Sequence, residues 1–287
     1  MTRDTVRHRA AWGVARPVAA IALAFCAMAA RGQESKPEES AEELAKKLSN
    51  PIADLVSIPF QFNWQEGYGV NDDLQFILNV QPVVPFHITK DWNMIARFIV
   101  PYISQPEISP GVGPVSGLGT ITYSTFFSPV SDSGFTWGVG PVFGLPMTSD
   151  PVLGGGQWLV GPTLVVLKQS GGWTYGALLN QQFSIADTGH NQNLPYFSQA
   201  FIQPFIAYTT KSAVTFTLQS QSTYNWEAAP DQRWTVPVNF LVSKLTRLGP
   251  FPFSIQGGGG YYAARPDVGP KWRFQLAFIV LLPVAKK

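Results

Sequence analysis

From residue 55 onward, apolar and polar side chains alternate one for one, and that period of two commits the chain to pleated strands. Leu74, Phe76, Leu78, Val80, Pro82, Val84 and Phe86 form a continuous apolar face. Between them stand Gln75, Ile77, Asn79, Gln81, Val83, Pro85 and His87. The pattern recurs. Trp234, Val236, Val238, Phe240 and Val242 oppose Thr235, Asn239 and Ser243. Trp272, Phe274, Leu276, Phe278, Val280 and Leu282 oppose Arg273, Gln275 and Ala277. Twelve segments read this way: 55–65, 74–88, 92–104, 118–129, 135–147, 157–168, 172–186, 196–209, 212–225, 233–245, 251–263 and 271–283. Each is long enough for a tilted membrane strand of about 9–11 residues. An even count places both termini on one side.

Alternation alone does not say which face meets lipid, because a soluble sandwich alternates too, with its apolar side inward. Composition decides between them. Charged residues make up 13% of the chain and hydrophobic ones 45%. The polar faces carry amides and hydroxyls, while charges gather between segments, so a globule wearing that surface would dissolve poorly. The apolar faces are therefore assigned to lipid and the amides to the interior. The expected fold is all-β, a transmembrane antiparallel up-and-down β-barrel of about twelve strands. A mean hydropathy of +0.05 argues against a helical membrane protein, which repeats spans of about 20 apolar residues.

The connections support the barrel. Residues 89–91, 131–134, 169–171, 210–211 and 246–250 are short turns, and most of the intervening connections are longer. Short periplasmic turns alternating with longer outer loops are usual in such barrels. Trp64, Trp92, Trp137, Trp158, Trp173, Trp226, Trp234 and Trp272 fall near segment ends, where interfacial girdles belong.

Residues 1–32 read as a signal peptide: an Arg-rich start, an apolar run from Val18 to Ala30, and small residues at Ala30 and Gly32. Cleavage is expected before Gln33. Removing that segment takes away Arg3, Arg7, Arg9, Arg16 and Arg31 against Asp4, leaving 15 of 20 basic and 17 of 18 acidic side chains. No basic footprint remains for nucleic acid. The sole cysteine, Cys26, goes with the segment. Residues 33–50 form a polar periplasmic leader with a short helix, N-capped by Ser40 with Glu43 as its capping-box partner. Two placements stay open for the helix. One is a solvated leader, which the polar composition favours; the other is a helix docked on or into the barrel mouth. Residues 51–287 are the barrel. Its expected partners are outer-membrane lipid and the barrel-assembly machinery.

No nucleophile elbow, zinc-protease helix or phosphate loop is present, so no catalytic residues, metal or cofactor are assigned. His87 is expected to point inward near the periplasmic end, and His190 to lie in an outer loop. Gly257–Gly260 falls inside a strand, as a kink or a place of close packing rather than a phosphate cradle. The candidate site is the lumen itself. Its expected lining is Gln61, Asn63, Gln75, Asn79, Gln81, Arg97, Gln203, Gln219, Gln221, Asn239, Gln256, Arg273 and Gln275, with Phe201 and Phe205 also inward. Neutral amides without a ring of like charge suit small neutral or hydrophobic organic solutes. Two alternatives remain: a structural barrel with a filled lumen, and an outer-membrane phospholipase-like enzyme. The latter would need Ser and His meeting on the lipid-facing surface.

Several segments also resemble a known family. These are Asn50-Pro51-Ile52-Ala53-Asp54-Leu55 leading into the first strand, Asn79-Val80-Gln81-Pro82, Asp91-Trp92-Asn93, Phe126-Phe127-Ser128-Pro129, Trp137-Gly138-Val139-Gly140-Pro141 and Asn225-Trp226-Glu227. They are similar to bacterial outer-membrane transporters that are often labelled neuromedin U, and to the outer-membrane proteins of MetA-pathway phenol degradation. The resemblance spans roughly residues 50–283. It implies a barrel and uptake of small organic compounds, and carries over no catalytic residues. One departure is the C-terminus, which runs Leu282-Pro283-Val284-Ala285-Lys286-Lys287 instead of ending on an aromatic residue. Mass spectrometry of protein recovered from membranes should give a mature chain beginning at Gln33; an intact Met1 would refute the cleavage.

Overall fold

The computed structural model describes residues 40–131, 133–188, 194–248 and 251–282. The expected signal peptide, its cleavage site and His190 lie outside the described residues. Helix α1 is Ala41–Leu48. Twelve strands follow: β1 Val56–Tyr68, β2 in two pieces (Asp73–Val80 and Val83–His87), β3 Trp92–Gln105, β4 Val115–Leu118 with Ile121–Pro129, β5 Phe135–Leu145 and β6 Gln157–Ser170. Then come β7 Trp173–Asp187, β8 Ser198–Thr209, β9 Val214–Gln219 with Ser222–Asn225, β10 Trp234–Leu248, β11 Phe251–Ala264 and β12 Trp272–Leu282. Each strand pairs antiparallel with the next along the chain, and β12 lies beside β1, so the sheet closes. Every expected segment coincides with a strand. The differences are at the ends, where β1 runs on to Tyr68 and β10 to Leu248. Pairing there outlasts the apolar band, so no hydrophobic period marks it.

The breaks in β2, β4 and β9 share a cause. A proline has no N–H to give the ladder but still offers a carbonyl. Pro82 interrupts β2 itself, and its carbonyl accepts from Phe98 N at 3.0 Å. Gly119 N donates to Pro101 O at 3.0 Å across the β4 break, and Ser220 N to Pro204 O at 3.1 Å across the β9 break. Each strand is continuous in course and lacks only the bond that proline cannot make.

The alternation sorts faces as expected. Phe127, Trp173, Phe216, Phe240, Trp272 and Phe274 are exposed on the outside, while Gln61, Asn63, Gln75, Asn239 and Gln275 are buried inside. Outer aromatics meet at both ends of the wall. Trp92–Trp137 (5.9 Å) and Trp173–Tyr208 (4.8 Å) lie at one end, Tyr224–Trp234 (4.8 Å) and Tyr261–Trp272 (6.1 Å) at the other. Two such girdles frame the apolar belt of an outer-membrane-type barrel. At the end where β1 begins, short connections join β2 to β3, β4 to β5, β6 to β7, β8 to β9 and β10 to β11. Connections at the other end include 106–114, 146–156, 188–197 and 226–233. We call these the short-turn and long-loop ends.

Helix α1 does not stand in solvent, and here the favoured expectation fails. The helix itself forms as read: Ser40 Oγ accepts from Glu43 N at 3.2 Å, and Ser40 N donates to Glu43 Oε2 at 3.0 Å. The bond from Ser40 N, and with it one from Ser40 Oγ to the same Oε2 at 3.1 Å, holds the Glu43 carboxyl below its usual range. One face of α1 then docks on the barrel interior. Ala45 is buried with Ala213, Leu245 and Leu281, and Leu44, Leu48, Leu55 and Ile279 pack against that cluster. Gln169 Nε2 on β6 donates to Lys46 O at 2.9 Å, a last-turn carbonyl that also accepts from Ser49 N at 3.1 Å. Beyond the helix, Ile52 is buried against Val83, Ile95 and Phe126. A Cβ on Gly138 would come within 2.9 Å of Ile52 Cδ1, so glycine there makes the seat for this side chain. Polar composition misled because a single turn-spaced row, Leu44, Ala45 and Leu48, is enough to dock eight residues.

Leu48→Asp would set a carboxylate in this cluster, at a cost above about 1.4 kcal/mol. Trypsin should then cut folded barrels after Lys46 or Lys47 at least about tenfold faster than in the parent. An unchanged rate would mean that the cluster does not hold α1.

Candidate functional site

The interior holds a cavity of about 200 Å³. Its short-turn wall is α1 and the segment through Leu55. Gln61, Gln81, Arg97, Gln203, Gln219, Gln221, Gln256 and Gln275 line the rest, with Phe205, Ala277 and Ile279 among them. Of the expected lining residues, Asn63, Gln75, Asn79, Asn239 and Arg273 do not border this cavity. Asn63 Nδ2 donates to Ile77 O at 3.3 Å, and Gln75 donates to Gln105. Asn79 sits opposite Gln61 in register. Asn239 is buried, its Nδ2 3.5 Å from Gln219 O.

Five side chains form a relay around the wall. Arg97 Nη2 donates to Gln81 Oε1 (3.0 Å), and Gln81 Nε2 to Gln61 Oε1 (2.6 Å). Gln61 Nε2 donates to Gln275 Oε1 (3.0 Å), and Gln275 Nε2 to Gln256 Oε1 (3.0 Å). The strands are β3, β2, β1, β12 and β11, in wall order. Every amide donates in the same sense, away from the cation. Bonds aligned head to tail in a low-dielectric interior polarise one another.

A second network lies nearer the long-loop end. Tyr262 Oη donates to Gln65 Oε1 at 2.7 Å and accepts from Arg273 Nε at 3.1 Å. Arg273 Nη1 donates to Gln221 Oε1 at 2.7 Å, and the guanidinium lies 5.5 Å from the Tyr262 ring centroid. Arg273 thus links β12 to β9 past β10 and β11. Gly260 stands between Asn239 and Arg273 in register, and a Cβ there would fall 2.5 Å from Asn239 Oδ1. The glycine run keeps the wall bare where the arginine crosses, the close packing expected of it.

The interior differs from the expected one in two ways. Gln65, Gln105 and Tyr262 join the polar lining. The first two stand at segment ends, where the period fades, and the third follows the glycines. More important, part of the lumen is apolar core. Val83, Ile95, Phe126, Val165, Leu167, Leu178 and Phe205 cluster with Ile52, and Phe201 packs against them. Phe201 and Phe205 do face inward. The others escaped notice because strands such as β6 are apolar on both faces.

His87 is half-exposed at the short-turn end, with Nε2 3.2 Å from Asp54 Oδ2, and so stands at the rim instead of lining the lumen. Among the described residues no serine bonds to it, and no three metal-ligating side chains come together.

No protein-family model matches the chain. No curated protein matches it either. Among solved structures, the fold is similar to an outer membrane channel from Pseudomonas putida F1, with a TM-score of 0.52 and 14% identity over 87% of this chain and 100% of that one. Outer membrane phospholipase A from Escherichia coli aligns with a TM-score of 0.45 and 12% identity over 86% of this chain and 100% of that one. At such identities the likeness is one of fold: the chain is a β-barrel of the outer-membrane type. The transporter-family resemblance rests on the sequence segments alone.

Gln61→Leu removes the middle of the relay and leaves the Gln81 amide and the Gln275 carbonyl buried without partners. Denaturant unfolding in detergent should show a loss of about 1–3 kcal/mol. A neutral substitution would show that the relay does not stabilise the barrel.

Proposed function

We propose that this protein is an outer-membrane channel for small neutral or hydrophobic organic solutes, narrowed at its short-turn end by the docked α1 segment. The observation that carries this reading is the amide-walled cavity inside the barrel. An interior serving only as core closes up to crystal-like packing, whereas here hydrogen-bonding groups border open space. About twelve strands give a narrower bore than the 16–18 of wide aqueous porins, which suits selective passage of small molecules. The signal peptide, cleaved before Gln33, would deliver the chain to the barrel-assembly machinery, with the short-turn end and residues 33–50 on the periplasmic side. The fold likeness to an outer membrane channel and the transporter-family segments agree with this. Among the described residues no serine meets a histidine and no metal-ligating cluster forms.

The apolar cluster around Phe126 and Ile52 favours a second reading, a structural barrel with a filled lumen. The two differ in what undocking α1 does. In planar bilayers the parent should conduct weakly and Leu48→Asp at least about tenfold more, in step with the helix undocking. Liposomes carrying the variant should also swell in a small neutral sugar. Silence of both proteins, with the fold intact, would favour the filled barrel.

A further inference from the structure

We propose that the lumen cavity is a binding site for a small organic monocarboxylate, its carboxylate gripped by Arg97 and its apolar body lying against Phe205 and Ile279. The proposal deepens the channel reading and rests on it only for the route by which the ligand arrives.

Arg97 is on β3, with Val83 and Ser124 beside it in register. A guanidinium carries five N–H donors in a fixed fork. Its bond to Gln81 uses Nη2. The side chain keeps accessible surface although it lies inside the barrel, and it borders the cavity, so the remaining donors open onto that space. Lys47 is the other charged side chain on the lining, and no Asp or Glu stands there among the described residues. An interior cation without a counter-charge is costly. An anion entering the cavity relieves that cost, and a carboxylate matches the fork with two parallel bonds.

Arg273 provides a comparison within the same lumen. Its Nε donates to Tyr262 and its Nη1 to Gln221, the Tyr262 ring lies against it, and it does not border the cavity. It is a built-in brace, whereas Arg97 is left with a fork to fill. The rest of the lining narrows the ligand class. Phe205, Ala277, Ile279 and Leu55 offer apolar surface, and Gln203 and Gln219 offer amides beside it. Inorganic anions would leave that surface bare. A volume of about 200 Å³ lies below the ~300–1,000 Å³ of drug-sized pockets, so the body is small, of the order of one ring.

The probe is benzoate, with benzamide as its uncharged isostere and inorganic phosphate as a bare anion. Titration calorimetry on the full chain in detergent micelles should show saturable benzoate binding at one site, with benzamide at least about tenfold weaker. Arg97→Gln should weaken benzoate at least about tenfold and leave benzamide unchanged, while Arg273→Gln should alter benzoate less than about twofold. Equal affinity for benzoate and benzamide, or indifference to Arg97→Gln, would overturn the proposal. So would phosphate displacing benzoate as well as benzoate itself does, because the apolar wall would then be irrelevant. Heat-modifiable gel mobility reports whether each variant is folded. If Arg97→Gln fails to fold, the benzoate-to-benzamide ratio in the parent and the phosphate competition decide. Binding is read in micelles whether or not the barrel conducts, so a silent channel that binds benzoate removes only the channel reading.

Discussion

Hydrocarbon offers a backbone nothing to bond with, and that constraint shapes the whole molecule. Every N–H and C=O in the membrane must find a partner in a neighbouring strand, so a sheet there has to close on itself. The meander from β1 to β12 does so with each strand beside its chain neighbour, and β12 completes the ring against β1. Closure explains why prolines are tolerated where they are. Pro82, Pro101 and Pro204 remove a donor at three places, and at each the carbonyl still receives an N–H from the adjoining strand. The unmade bond is a single donor and never an open edge.

Closure also turns one face of every strand inward, and the interior must then be satisfied without bulk water. Two solutions coexist. On one side Ile52, Phe126, Leu167 and Leu178 fill space as a soluble core would. On the other, glutamines and asparagines bond to one another along the wall. Amides suit this because each carries donors and an acceptor, and so can extend a chain that a carboxylate or an ammonium would end. Where charge does enter, amides and a phenol share in holding it, as Tyr262 and Gln221 do for Arg273.

The barrel was legible because lipid makes the hydrophobic period nearly noise-free. The twelve strands, the inward amides and the aromatic ends all follow from parity and composition. Parity fails where both faces are apolar, as along Leu164, Val165, Val166 and Leu167, and there the inner core could not be told from the lipid face. It also fails at strand ends, which hid Gln65 and Gln105. The docking of α1 was illegible for a different reason. Its seat is made of Ala213, Leu245 and Leu281, far apart in sequence and unremarkable singly, and only the closed barrel brings them together. The order of the relay was hidden likewise, since Gln61 and Gln275 become neighbours only when β1 meets β12.

Closure and the relay bear on each other through Arg97. The relay begins at Arg97 on the cavity wall, and each amide after it turns its carbonyl back towards that charge. Aligned dipoles spread part of the positive charge around the wall as far as β11, and so lower the cost of an interior cation without adding an acid. A carboxylate on the wall would neutralise Arg97 more completely, but it would also occupy the fork. By using neutral amides in its place, the barrel stabilises the cation and keeps it on the cavity wall without an acid to occupy it.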